Sequence, residues 1–133
     1  MRELVILAVM ENLDKVTEFV GEELYAADCH PSLQMQIIIA VEEIFVNIAH
    51  YAYKPETGGA VIRVTVGDEI SIEFEDEGRP YNPLKNPDPD ITVKAEERKI
   101  GGLGIFMVKE IMDAVEYRYE KGKNILRIKK AIV

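Results

Sequence analysis

A carboxylate and a carboxamide stand one helical turn apart in EEIFVNIAH, Glu42 to His50. Projected at about 100° per residue, Glu43 and Asn47 point the same way, on a narrow polar stripe with Gln36 and His50. The stripe runs beside an apolar one made by Leu33, Ile37, Val41, Ile44 and Ile48. A half-buried carboxylate needs a partner or a proton. Both side chains offer hard oxygens suited to Mg²⁺ and its water shell. The alternative is a solvated stripe closed by a Glu–Asn hydrogen bond.

Two further stretches carry chemistry. In FEDEGRPYNP, Phe74 to Pro83, Asp76 falls where an alternating strand ends and Gly78 follows two residues later. A carboxylate there can accept from an amino group of a flat heterocycle, while the glycine lets a ring approach the backbone. A plain turn of Asp, Gly and Pro reads the same way. In GGLG, Gly101, Gly102, Leu103 and Gly104 open a helix. Free N–H groups at a helix start favour phosphate, and glycine allows close approach. The Gly-Lys-Ser/Thr ending of a Walker loop is absent. A flexible hinge is the alternative.

The elements that must position these groups follow from periodicity. Leu4 to Val9 reads as a strand, and Asn12 as the N-cap of a helix through about Ala27. Pro31 and Ser32 open a second helix, stopped near Tyr53 by Lys54-Pro55. Ala60 to Val66 and EISIEFED are strands. The second places Ile70, Ile72 and Phe74 on one face and Ser71, Glu73 and Glu75 on a wet one. Glu77 to about Gly101 is irregular, with Pro80, Pro83, Pro87 and Pro89; so long a loop suggests function or mobility. A helix after Gly101 and a hairpin turning at Lys121-Gly122 close the chain. The order predicts one α+β domain over residues 1–133: a two-layer sandwich with a mixed, mostly antiparallel sheet and helices on one face.

Composition narrows the function. The chain has 133 residues, is 47% hydrophobic and carries a formal charge of −8. It can bury a core. Without a basic run it is not expected to bind nucleic acid directly, although one local pocket can still oppose the global charge for a nucleotide. A single cysteine, Cys29, excludes an internal disulfide and suits a reducing cytoplasm. The apolar run from Leu4 to Met10 is too short to span a membrane.

The three stretches, in this order, resemble the boxes of the GHKL-type ATPase fold shared by histidine kinases, gyrase-like ATPases and Hsp90. More closely the chain is similar to anti-sigma factor serine kinases of the RsbW and SpoIIAB type. EEIFVNIAHYAY resembles their N box, DEGRPYNP their first glycine box and GGLGIFMVKEIMDAVEY their second, and the likeness covers essentially the whole chain. It implies that Glu43 is the general base for a serine hydroxyl and that Asn47 holds Mg²⁺. It implies that Asp76 accepts from the adenine amino group beside Gly78, and that Gly101, Gly102, Leu103 and Gly104 meet the phosphates of ATP. Leu84 to Ile100 would be a lid, with Arg98 and Lys99 in reach of the phosphates, although Ile100 stands where some relatives carry an arginine. His50 would only support the site. The implied partners are a STAS-domain anti-anti-sigma protein, a sigma factor and a second copy of the chain; Ile39, Val46 and Tyr53 form an apolar line on the second helix that suits either such a contact or packing against the first helix. The alternative is a non-catalytic nucleotide-binding module that acts by protein–protein contact.

Overall fold

A computed structural model describes residues 1–85 and 102–132. Among the described residues five strands and three helices follow one another as β1 (Arg2–Leu7), α1 (Leu13–Ala26), α2 (Pro31–Asn47), β2 (Gly59–Val66), β3 (Glu69–Asp76), α3 (Gly102–Ile111), β4 (Ala114–Glu120) and β5 (Lys123–Ala131). The sheet order is β1-β2-β3-β5-β4. All four neighbouring pairs are antiparallel. The expected two-layer sandwich is observed.

One sheet face is the core face. Ile62 and Val64 of β2, Ile70, Ile72 and Phe74 of β3, and Leu126 and Ile128 of β5 are buried there. The helices cover them with Val16, Val20 and Leu24 of α1, Ile37, Val41, Ile44 and Phe45 of α2, and Ile105 and Val108 of α3. Period-two burial in strands thus meets period-3.6 burial in helices, as the pleat and the helical turn require. The stretch Pro31–Ala52 is long and apolar enough to cross a membrane by length and composition. Here its apolar stripe is the central helical contribution to the core.

Several local expectations change. β1 begins two residues early and ends at Leu7, because Met10–Asn12 forms a short 3₁₀ turn into α1. Asn12 is the N-cap of α1 by position, yet its side chain makes no cap bond. Its Nδ2 donates instead to the Leu7 carbonyl, 2.8 Å away, and ties the strand end to the helix start. The actual side-chain cap is on α2, where His30 Nδ1 accepts from the Ser32 N–H and Pro31 occupies the first turn. α2 runs on as a π-helical turn, Ile48–Ala52. At the final hairpin, Lys121 (φ 53°) and Gly122 (φ 79°) both take the positive φ that a two-residue turn of the I′ class requires.

The outer sheet face is less wet than its alternation suggests. Glu75 is only 8% exposed. Arg63 Nη1 donates to it at 2.9 Å and Lys123 Nζ lies 3.5 Å away, while Arg127 pairs with Glu73. Tyr53 also departs from the apolar surface line. Its hydroxyl donates to the Gly59 carbonyl and accepts from the Glu77 N–H, both at 2.7 Å. Ile39 and Val46 are half-buried.

Candidate functional site

Between the helical layer and the end of the sheet lies a cavity of about 550 Å³, within the usual range for small-molecule pockets. Ile44 and Ile48 line it from α2 and the turn that follows, Phe74 from β3, Ile105 from α3 and Leu126 from β5. An apolar slot of this kind suits a flat aromatic ring. Among the described residues, one carboxylate, Asp76, lines it.

Asp76 is 7% exposed and ends β3. Its Oδ1 accepts the Gly78 N–H at 2.9 Å and the Asn124 amide at 3.0 Å. Oδ2 is left without a protein partner among the described residues. Burial pushes the Asp76 carboxyl above its ordinary range; the two hydrogen bonds pull the other way and the nearby Glu75 charge adds to the rise. A buried acceptor surrounded by neutral donors is poised to take a hydrogen bond from a ligand.

Gly78 is required by space. A Cβ there would run into the Ala52 carbonyl and Cβ. The same carbonyl accepts from the Arg79 N–H at 3.1 Å. The π-helical turn is therefore docked on the loop that leaves Asp76, and a substituted residue 78 would push the two apart. π-helical turns concentrate at functional sites.

At the other end, Asn47 lines the cavity and Glu43 lies one turn earlier. A Cβ on Gly104 would fall 2.5 Å from Glu43 Oε2, so the glycine lets the carboxylate rest on the first turn of α3. An anion is favoured there by the free N–H groups and the helix dipole. α3 begins at Gly102, so Gly102, Leu103 and Gly104 form its opening turn, as the glycine entry suggests. Glu43 itself does not line the cavity. Among the described residues no cluster of three His, Cys, Asp or Glu side chains is placed to hold a metal ion. Mg²⁺ commonly takes one or two protein oxygens and completes its shell with phosphate and water. Asn47 at the cavity wall fits that role. His50 is half-buried and packs edge-on to Tyr51, with ring centroids 6.0 Å apart. Arg98, Lys99, Gly101 and most of the expected lid lie outside the described residues.

Sequence reasoning missed Asn124, and with it the rim residues Tyr51 and Tyr81, which are 50% and 54% exposed and line the cavity. Asn124 faces Asp76 across the β3–β5 register, 48 residues away in the chain. A local motif could not have marked it. Predicting the register of the last hairpin against EISIEFED would have.

An open antiparallel sheet with a pocket between its end and α2 and α3 is consistent with the GHKL class of ATPase fold. The chain matches the histidine kinase-like ATPase domain over residues 6–130 and belongs to that family. It is similar to serine-protein kinase RsbW of Listeria monocytogenes serovar 1/2a, with 28% identity over 97 residues, 68% of this chain and 62% of that protein. It is similar to RsbW of Bacillus cereus strain ZK / E33L at 29% over 96 residues, 68% of this chain and 60% of that one. The chain thus spans about three fifths of the length of these relatives. Among solved structures, the RsbU and RsbW domains of a Mycobacterium tuberculosis protein superpose with a TM-score of 0.69 at 13% identity, over 99% of this chain and 33% of theirs. The SiaB–SiaC complex of Pseudomonas aeruginosa gives 0.59 at 14%, over 99% and 90%. At those identities the likeness is one of fold.

Proposed function

We propose that this chain binds Mg·ATP in the cavity and transfers the terminal phosphoryl group to a serine or threonine of a STAS-domain anti-anti-sigma protein, while also sequestering a sigma factor. The observation that supports the reading is one cavity lined by Asp76, Asn47 and, from α3, Ile105, in the helix that opens at Gly102. Asp76 Oδ2 would accept from the adenine amino group, with the ring between Ile48, Phe74 and Leu126. Asn47 would hold Mg²⁺, which supplies charge neutralisation at the phosphates. Gly102 and Gly104 would lend N–H groups, and Gly101, Arg98 and Lys99 would complete the phosphate end. Glu43 would take the proton from the attacking hydroxyl, which requires it to leave its seat on Gly104. The names of the RsbW relatives support the kinase half of this reading. A cytoplasmic location and a homodimer belong to the same proposal.

Glu43 lying off the cavity wall favours a second reading, a nucleotide-dependent switch without transfer. Two measurements decide. Mg·ATP is expected to raise the thermal midpoint of the wild type and, at the same concentration, that of Asp76→Asn much less, since a ligand that binds only the folded state stabilises it by mass action. Incubation with labelled ATP and candidate STAS partners is expected to give a phosphoprotein with wild type and none with Glu43→Ala, which still binds ATP. ATP binding without any phosphoprotein from the wild type would leave the switch.

A further inference from the structure

Asn124 has no part in the reaction above, yet it stands on the cavity floor beside Asp76. An amide in such a place ordinarily offers both a donor and an acceptor, and could read an amino or a carbonyl edge alike. Here the protein consumes both ends. Nδ2 has two hydrogens and three acceptors around it: Asp76 Oδ1 at 3.0 Å, the Arg79 carbonyl at 3.0 Å and the Gly78 carbonyl at 3.3 Å. Oδ1 accepts from the Tyr81 N–H at 3.1 Å and from the Tyr117 hydroxyl. The reverse amide orientation would set an oxygen against a carboxylate and two carbonyls, and an NH₂ group against the Tyr81 N–H. The network therefore fixes which end is which.

We infer that Asn124 is a positioning residue that sets base selectivity. By spending its own hydrogen bonds on the protein and pinning Asp76 Oδ1, it leaves Asp76 Oδ2, without a protein partner among the described residues, as a fixed acceptor on the floor, which admits a donating amino edge and rejects a carbonyl. The inference rests on the nucleotide reading above. Two features make the selection sharp. Oδ1 is held from two directions, by Gly78 N–H and by Asn124, so the carboxylate cannot rotate to hide Oδ2. The amide also holds Gly78, Arg79 and Tyr81 of the following loop, so the floor cannot fold away to satisfy a carbonyl ligand.

ATP and ITP separate the idea from a purely structural role, because they differ at the purine six-position edge. Affinities for Mg·ATP and Mg·ITP would be measured by calorimetry on wild type, Asn124→Ala, Asn124→Asp and, as a control on the opposite sheet face, Glu75→Gln. Wild type is expected to prefer ATP by more than about tenfold, the scale of one hydrogen bond to a charged group. In Asn124→Ala the ratio should fall to within about threefold of unity, because Asp76 keeps only the Gly78 N–H and the loop that Asn124 held is released. Asn124→Asp keeps the shape and the oxygen end but removes the donors, and should lose the ratio as well. Either variant that retains a cooperative unfolding transition serves. Glu75→Gln should lose stability and keep the ratio. A wild type that binds neither nucleotide would overturn the nucleotide reading, and this inference with it. A wild type that prefers ATP, beside Asn124 variants that weaken both nucleotides equally, would overturn this inference alone.

Discussion

Glu75 and Asp76 are neighbours on β3 and equally buried, at 8% and 7% exposure, yet they point to opposite faces of the sheet and titrate in opposite directions. Burial alone would push both carboxyls up. At Glu75 the Arg63 hydrogen bond and charge, helped by Lys123, overcome burial and hold the group below its ordinary range. At Asp76 the hydrogen-bond partners are neutral and burial wins. On the proposed reading, the difference separates a structural acid from a binding one. A structural carboxylate is neutralised by the protein, whereas a binding carboxylate is oriented by the protein and left for the ligand to complete.

The largest test of that contrast is Asp76→Asn. It should weaken Mg·ATP by roughly ten- to a hundredfold, the value of a hydrogen bond to a charged acceptor. The ligand-free protein should be at least as stable as wild type, because a buried charge has been removed while an oxygen still faces Gly78 and Asn124; calorimetry and urea midpoints would check the two halves. Glu75→Ala should do the reverse. Leaving Arg63 and Lys123 without their buried partner should cost about 1–3 kcal/mol of stability, less than a fully buried pair because Arg63 is partly exposed, and ATP affinity should hold. If ATP binding fell with Glu75 as well, the two faces would be coupled and the contrast would fail.

A finer test is acid titration of stability. Asp76 ionises at a penalty in the fold, so that destabilisation is present above its raised folded-state value and is relieved as pH falls through it. Glu75 contributes stability above its unfolded value, which is lost as pH falls through its lowered folded-state value. Glu75→Gln should therefore show stability rising on mild acidification, and Asp76→Asn only the falling limb. Urea midpoints between about pH 7 and pH 3, spanning ordinary carboxylate values, would measure both. The smallest expected effect is at Tyr81, whose ring is half-exposed at the cavity rim. Tyr81→Ala should weaken ATP by only about threefold, the low end of an aromatic contact.

Much of this was legible in the sequence. Alternation in EISIEFED located Asp76 at a strand end. Helical spacing put Glu43 and Asn47 on one stripe, and glycines marked the entry of α3. The missing parts are those that depend on register and on competition between neighbours. Asn124 looks like an ordinary hairpin residue until β5 is paired with β3. Glu75 reads as solvent-facing until Arg63 and Lys123 arrive from two other strands. Tyr53 reads as an apolar surface residue until its hydroxyl finds Gly59 and Glu77. Asn12 shows the same limit at short range: its position was plain, but its side chain serves the strand rather than the helix.

The seat of the π-helical turn on the Asp76 loop has a metric consequence. From Glu43 to Ala52 one nearly continuous helix connects the start of α3, the proposed phosphate end, to the loop after Asp76, the proposed base end. At about 1.5 Å per residue that interval is a ruler of roughly 13 Å. Inserting or deleting one residue between Asn47 and Ala52 would move one end against the other by about 1.5 Å and rotate it by about 100°. If the proposed site is right, the length of ligand that touches both ends is set by the count of residues in a single helix.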